Sequence, residues 1–367
     1  MSKLSHSSLQ RYQTCPTSYK LHYIDRIVNK YKSGALYFGS AIDEALNCLL
    51  SAEQRHLAKQ KFNEKWEKQL DNSKTLIDIS KDENVVYSNS DFDKDLLTQE
   101  DLNEIEKFIE ITMPTDEHPL DLYAGLKDKK TIRNLTSKET QFFNYMNWLC
   151  LKRKGHLMLD YYEKSIIPNI KEVICIQKNI EYTTETGETL TAYIDVIVKW
   201  KDGSIVIIDN KTSSIDYELD SVKKSQQLAL YLTLANKELG LNITKAGFIV
   251  LKKGIKKDIE KVCKICKFKA EKGSTHKTCH NMIKLKRCNG EWDRKVEFRV
   301  DSQIIIDEIP GQTLEFMLNN VNEIGRAIKT EIWPKNLSSC KQPWGYCEYY
   351  NKCWHQSDKD LIKRPKE

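Results

Sequence analysis

A chain of 367 residues, 40% apolar and 30% charged, has material for a sizeable core in one large or two modest domains and is expected to fold as a soluble protein. No apolar run approaches the ~20 residues that cross a bilayer, and MSKLSHSSLQ lacks the apolar stretch of a secretory signal, so neither a membrane span nor secretion is expected and a cytoplasmic location is the working expectation. The net charge of +6 is unevenly spread: residues 71–130 hold 7 Lys/Arg against 16 Asp/Glu and residues 251–300 hold 16 against 6, so one segment attracts a polyanion and the other repels it.

In chain order, Ser5 is placed to cap the first of two short helices within residues 4–31, and Pro16, directly after Cys15, to open the second. Apolar residues from Phe38 through Leu50 to Trp66 recur near helical spacing and predict a long helical stretch over 38–69. The acidic segment from 71 to about 135 has little periodicity apart from a helix near 101–111, and a helix near 142–167 is ended by Pro168. β-Branched and aromatic runs predict strands at 173–182, 189–200 and 204–209, the last two joined by an Asp202-Gly203 turn. A helix near 221–239, a strand at AGFIVLKK, a Lys- and Cys-rich insertion, a partner strand at RKVEFRV and a helix over 301–329 precede a cysteine-rich tail. No internal repeat is evident. Helices around a mixed sheet define an α/β or α+β core with a small insertion at a hairpin tip.

The chemistry concentrates at two strands. Asp195 lies inside TAYIDVIV, while IVIIDNK ends on Asp209 and Lys211, which strand alternation puts on one face with Asn210 on the other. Two acids within reach of each other hold a hard cation such as Mg²⁺ or Mn²⁺, and a lysine beside them stabilises charge on an attacking water or a phosphate oxygen. Gln227 and Tyr231, four apart in QQLALYL, share one face of the following helix.

These residues in this order resemble the PD-(D/E)XK nuclease superfamily, and within it the RecB-type branch that includes the RecB and AddB nuclease domains and the CRISPR-associated iron–sulfur exonucleases. FGSAID puts Gly39 and Asp43 in the register of that branch's GxxxH element, with Asp in place of His, and Gln177 stands where many relatives carry Glu. The resemblance implies a restriction-endonuclease-like core, catalytic roles for Asp195, Asp209, Lys211, Gln227 and Tyr231, and Mg²⁺ or Mn²⁺ at Asp43, Asp195, Asp209 and the Asn210 carbonyl. It divides the chain into N-terminal helices (1–70), an acidic segment (71–168), a nuclease core (169–251), a basic insertion (252–293) and a core-completing tail (294–367).

Eleven cysteines in a reducing compartment point to metal wherever they cluster. In the tail, Cys340, Cys347 and Cys353 leave a tetrahedral centre one ligand short, and Cys15 is the candidate fourth. The family resemblance implies a [4Fe–4S] cluster at these four, and zinc is an alternative that the same thiolates accept. In the insertion, Cys263 and Cys266 form a CxxC turn that suits zinc, with Cys279 and Cys288 completing the set or with His276 or His280 replacing one of them. The interleaved lysines and Arg287 there suit phosphate contacts. Cys48, Cys150 and Cys175 sit in apolar contexts expected of buried structural residues.

The expected function is a metal-dependent DNA nuclease. By resemblance it is an exonuclease on single strands or DNA ends in recombination, repair or phage DNA metabolism, with a bacteriophage source included. The alternative is a non-catalytic nucleic-acid-binding protein on the same scaffold, and a weaker one is an RNA nuclease or a CRISPR-adaptation processing enzyme. No GxxxxGK[ST] motif is present, so any unwinding falls to a helicase or recombination partner.

Overall fold

The computed structural model describes residues 3–29, 34–67, 98–112, 137–184, 187–271, 274–283, 286–342, 345–359 and 361–365. Most of the acidic segment, including its Pro-containing loop, lies outside the described residues.

A five-stranded mixed sheet in the order β2-β3-β4-β5-β8 organises the chain. Its strands are β2 (Ile170–Thr183), β3 (Thr189–Trp200), β4 (Ile205–Ser213), β5 (Lys245–Cys263) and β8 (Trp292–Glu308). All neighbours are antiparallel except β4 and β5, which run parallel and are joined by helix α7 (Gln226–Leu239). Ser225 caps α7 by accepting from Leu228 N–H at 3.2 Å, so the helix expected from 221 starts at 226; Gly240, at φ 62°, ends it in the left-handed conformation that glycine adopts freely.

Strand alternation divides the core in two. Val206, Ile208, Ile249 and Leu251 face one layer of helices: α3 (Gly34–Leu50), α4 (Ala58–Glu67), α5 (Gln99–Thr112) and α6 (Ser137–Tyr161). Ile207, Ala246, Phe248 and Val250 face the other: α1 (His6–Thr14), α7 and α8 (Gly311–Lys329). The stretch expected as one helix over 38–69 is broken between α3 and α4 by a 3₁₀ turn at Arg55–Leu57, which folds the second helix back so that Phe38, Phe62 and Trp66 pack ring against ring. The helix expected from 301 starts only at Gly311. Residues 301–308, with the β-branched run Ile304–Ile306, extend β8 instead and pair with Lys245–Leu251.

Gly155 of α6 sits against the face of Phe62, where an added Cβ would fall 2.2 Å from the ring. Phe62 is fully buried and hemmed by Phe38, Trp66 and His156, so it cannot swing away. Gly155→Ala is therefore expected to lower stability by about 1–3 kcal/mol, read as a lower urea midpoint with an unchanged m-value.

Candidate active site

The site lies where β3 and β4 part. Their pairing ends at Val196↔Ile208, leaving the next inward N–H of β4, that of Asn210, without a strand partner. Asp195 supplies one: its Oδ2 accepts from Asn210 N–H at 2.9 Å. The acid is available because β3 changes face there. Leu190, Ala192 and Ile194 face the α7 layer and so does Ile197, whereas Val196 and Val198 face the α3 layer. Opposite Asp195 on β2 is Gln177, held at φ 48°, a left-handed conformation that costs a non-glycine residue roughly 1–2 kcal/mol and tends to occur at functional sites.

Asp209 and Lys211 project from β4 toward α7, as alternation requires. Asp209 is 2% exposed. Its Oδ1 accepts from Gln227 Nε2 at 3.2 Å, and the same amide lies 2.9 Å from Tyr231 Oη, which ties the α7 face to the strand end. Asp209 Oδ2 lies 2.6 Å from Lys211 Nζ, a buried ion pair at the strand end. From the other layer, α3 brings Asp43, whose Oδ2 accepts from Gln177 Nε2 at 3.3 Å.

Electrostatics show that the three carboxylates share one site. Burial, and then the charges of Asp209 and Asp43, push Asp195 well above its ordinary value. Burial and Asp209 raise Asp43, while Lys211 and Lys65 oppose the shift. Burial raises Asp209 against the pull of Lys211. For Lys211, burial alone would lower the ammonium, but Asp209 and Asp195 hold it above its usual value. Lys211 among them, with Lys65 acting on Asp43, leaves the three acids raised.

A family model described as the PD-(D/E)XK nuclease superfamily matches residues 3–110 and 122–353. The chain belongs to this superfamily. A solved structure from Eubacterium rectale, described as a "putative exonuclease", aligns over 92% of this chain and 96% of its own at 12% identity, with a TM-score of 0.30 that carries no weight here. No curated protein matches the sequence.

PD-(D/E)XK nucleases use divalent metals, and the donors present fit one. Carboxylates from α3, β3 and β4 repel one another in a buried setting, a donor set of oxygens that suits a hard, oxygen-seeking cation. These acids hold protons that the unfolded chain releases, so at these groups the metal-free fold binds more protons than its unfolded state. Their contribution to stability is lost as pH rises from about 4 through the raised values. Mn²⁺ is expected to stabilise the fold at neutral pH by about 2.7 kcal/mol at a hundredfold excess over Kd, read as a higher thermal midpoint, with the gain shrinking toward acid pH. Asp195→Asn is expected to raise the metal-free midpoint by about 3 °C and to abolish most of the Mn²⁺ gain, which calorimetry in both states measures.

Two neighbours of the site carry no signal in the sequence. Tyr162, in the π turn Tyr162–Ile166 that ends α6, donates to Asn210 Oδ1 at 3.2 Å, so the Asn210 side chain anchors the strand to the α3 layer. His6, at the start of α1, is held down to about 4 by burial and by the charge of nearby Lys211. Both come from elements remote in sequence and match no local motif.

The cysteines gather in two places. Cys15, at the junction of α1 with the turn of helix α2 (Pro16–Tyr19), lines one hollow with Cys340, Cys347 and Cys353 from the tail, alongside Tyr349 and Trp354. At the far tip of the β5–β8 hairpin, the Sγ atoms of Cys263, Cys266, Cys279 and Cys288 all lie within 4.8 Å of one another. No three tail sulfurs close to that spacing among the described residues. His276 and His280 stack on each other at 4.3 Å beside the hairpin cysteines, and the described geometry completes that set with four sulfurs. Cys48 and Cys150 are buried, while Cys175 is half-buried.

Proposed function

We propose that this nuclease is a divalent-metal-dependent deoxyribonuclease that removes nucleotides from single strands or DNA ends, serving recombination, repair or phage DNA metabolism. The observation that carries the reading is the convergence of Asp43, Asp195 and Asp209 around Lys211, with Asp209 buried and ion-paired to that lysine at 2.6 Å. Asp43, Asp195, Asp209 and the carbonyl of Asn210 would hold the metal, which supplies Lewis-acid activation of water and of the scissile phosphate when bound. Lys211 places a positive charge where the attacked phosphate gains negative charge. Gln227 fixes the Asp209 carboxylate through Oδ1, and Tyr231 holds Gln227 in turn. Gln177 does the same for Asp43.

The four cysteines around the tail hollow suit a [4Fe–4S] cluster better than zinc. Four thiolates on zinc must approach to about 3.8 Å of each other at a Zn–S distance of ~2.3 Å, whereas a four-iron cluster fills a wider ring. What supports the cluster is that Cys15, Cys340, Cys347 and Cys353 line one hollow.

The test is degradation of linear and circular single-stranded DNA and of RNA by anaerobically purified protein with Mg²⁺ or Mn²⁺. Loss of linear DNA alone is expected. Equal attack on circles would replace the exonuclease by an endonuclease, preference for RNA would replace the substrate, and binding without any cleavage would leave a non-catalytic binding protein.

A further inference from the structure

We propose that the tip of the β5–β8 hairpin is a structural zinc site that stiffens a basic arm, and that the arm grips the phosphate backbone of the strand being cut. The inference rests on the nuclease reading only for the identity of that strand.

The sulfur geometry is that of a metal centre. Cys263 and Cys288 sulfurs lie 3.6 Å apart, as do those of Cys266 and Cys279. Sulfurs at the corners of a tetrahedron with ~2.3 Å zinc–sulfur bonds stand about 3.8 Å apart, and a disulfide would require ~2.05 Å. The surroundings are shaped for thiolates. Cys266 N–H points at Cys263 Sγ at 3.4 Å, and Asn281 Nδ2 at Cys266 Sγ at 3.8 Å, contacts that stabilise sulfur carrying negative charge. Gly290 leaves the room that Cys263 occupies, since a Cβ there would fall 2.7 Å from the sulfur. Lys267 and Asn289, each directly after a cysteine, adopt the left-handed conformation that turns the chain back at both ends of the site.

The tip needs such a staple. Its core is Trp292 with Phe268, Ala270 and the cysteines themselves, too little apolar surface to order residues 264–291 without a metal.

The placement supplies the second half. Lys211 pairs with Val250, and β5 runs on from there to Cys263, some 40 Å farther at ~3.3 Å per residue. The arm therefore leaves the sheet from the strand end that carries the acids. At its tip Lys277, Lys286 and Arg287 are exposed and form no ion pair among the described residues. Exposed Met282 and Ile283 on the facing strand of the same small hairpin offer apolar surface to unpaired bases.

Metal analysis and binding test the two halves on the full-length protein. Wild type is expected to carry one zinc that the double variant Cys279→Ser/Cys288→Ser loses with its iron unchanged; a wild type without zinc, or a variant that keeps it, overturns the metal site. Lys277→Glu/Lys286→Glu/Arg287→Glu is expected to keep its zinc and to bind a single strand of ~30 nucleotides in Ca²⁺ at least about tenfold more weakly, with a salt slope shallower by about 2. Unchanged affinity and slope overturn the arm. A wild type that cuts while the triple variant binds unchanged sinks the arm alone; one that grips the strand through the arm yet cuts nothing supports the arm and sinks the nuclease reading.

Discussion

Lys211→Ala is expected to cut metal-dependent DNA hydrolysis by about 10²–10³-fold, the usual effect of removing one preorganised charge from the reacting phosphate. Asp209→Asn is expected to be as damaging for a different reason, and thermal unfolding separates the two. The Lys211 ammonium lies 2.6 Å from Asp209 Oδ2, in the place where a cation would compete for that oxygen. Removing it leaves three carboxylates with less neutralisation, so Lys211→Ala should keep or increase the stabilisation by Mn²⁺ while its metal-free form is less stable. Asp209→Asn removes the buried donor itself and should lose most of that stabilisation. DNA binding in Ca²⁺ should survive Lys211→Ala, because one exchanged phosphate contact among many costs little. Equal hydrolysis by wild type and Lys211→Ala would remove the lysine from the mechanism; Mn²⁺ stabilisation of Asp209→Asn equal to wild type would move the metal elsewhere.

How much of this was readable beforehand varies by residue. The DxK pair is local: a strand period of two fixes Asp209 and Lys211 on one face, and the structure has them there. Asp195 was readable as a strand acid but not its orientation, because alternation through TAYIDVIV assumes an unbroken pleat. The face change opposite Gln177 decides where that carboxylate points, and a left-handed glutamine leaves no mark on the sequence. Asp43 was reachable only through family resemblance, since nothing local distinguishes one acid on an amphipathic helix. His6 and Tyr162 join the site through tertiary packing alone. The late start of α8 has another cause: Asp301–Glu308 reads equally well as helix or strand until the long pairing with β5 is known. The CxxC of the insertion announces itself by spacing, whereas no spacing connects Cys15 to a tail more than three hundred residues away.

That distant connection makes the tail the place where metal loss should cost most stability. Protein contacts already hold the two chain ends together. Strand β1 (Ile27–Asn29) pairs with β11 (Leu361–Lys363), Arg11 bridges to Glu348 at 2.5 Å, and Tyr349 Oη donates to Ile27 C=O at 2.8 Å. Between them, however, lies a hollow walled by thiols rather than filled by side chains. Burial first, and neighbouring Cys15 as well, push the thiols of Cys347 and Cys353 above their ordinary value, so metal binding there would release protons. On the cluster reading, anaerobically purified protein holds about four irons per chain with broad visible absorbance that dithionite bleaches. Cys347→Ser should lose the iron and destabilise the fold by more than about 4 kcal/mol, the range reached when a structural metal is lost. Cys48→Ser, remote from the hollow, serves as the control and should retain all the iron. Two zincs and no iron in wild type would replace the cluster by a second zinc site. Iron retained by Cys347→Ser would take that cysteine out of the ligand set. The expected destabilisation has a mechanical sense: Cys15, directly after α1, and the loop after α8 line the hollow, α1 carries His6 near Lys211, and a cluster that locked the chain ends there would hold one wall of the candidate site.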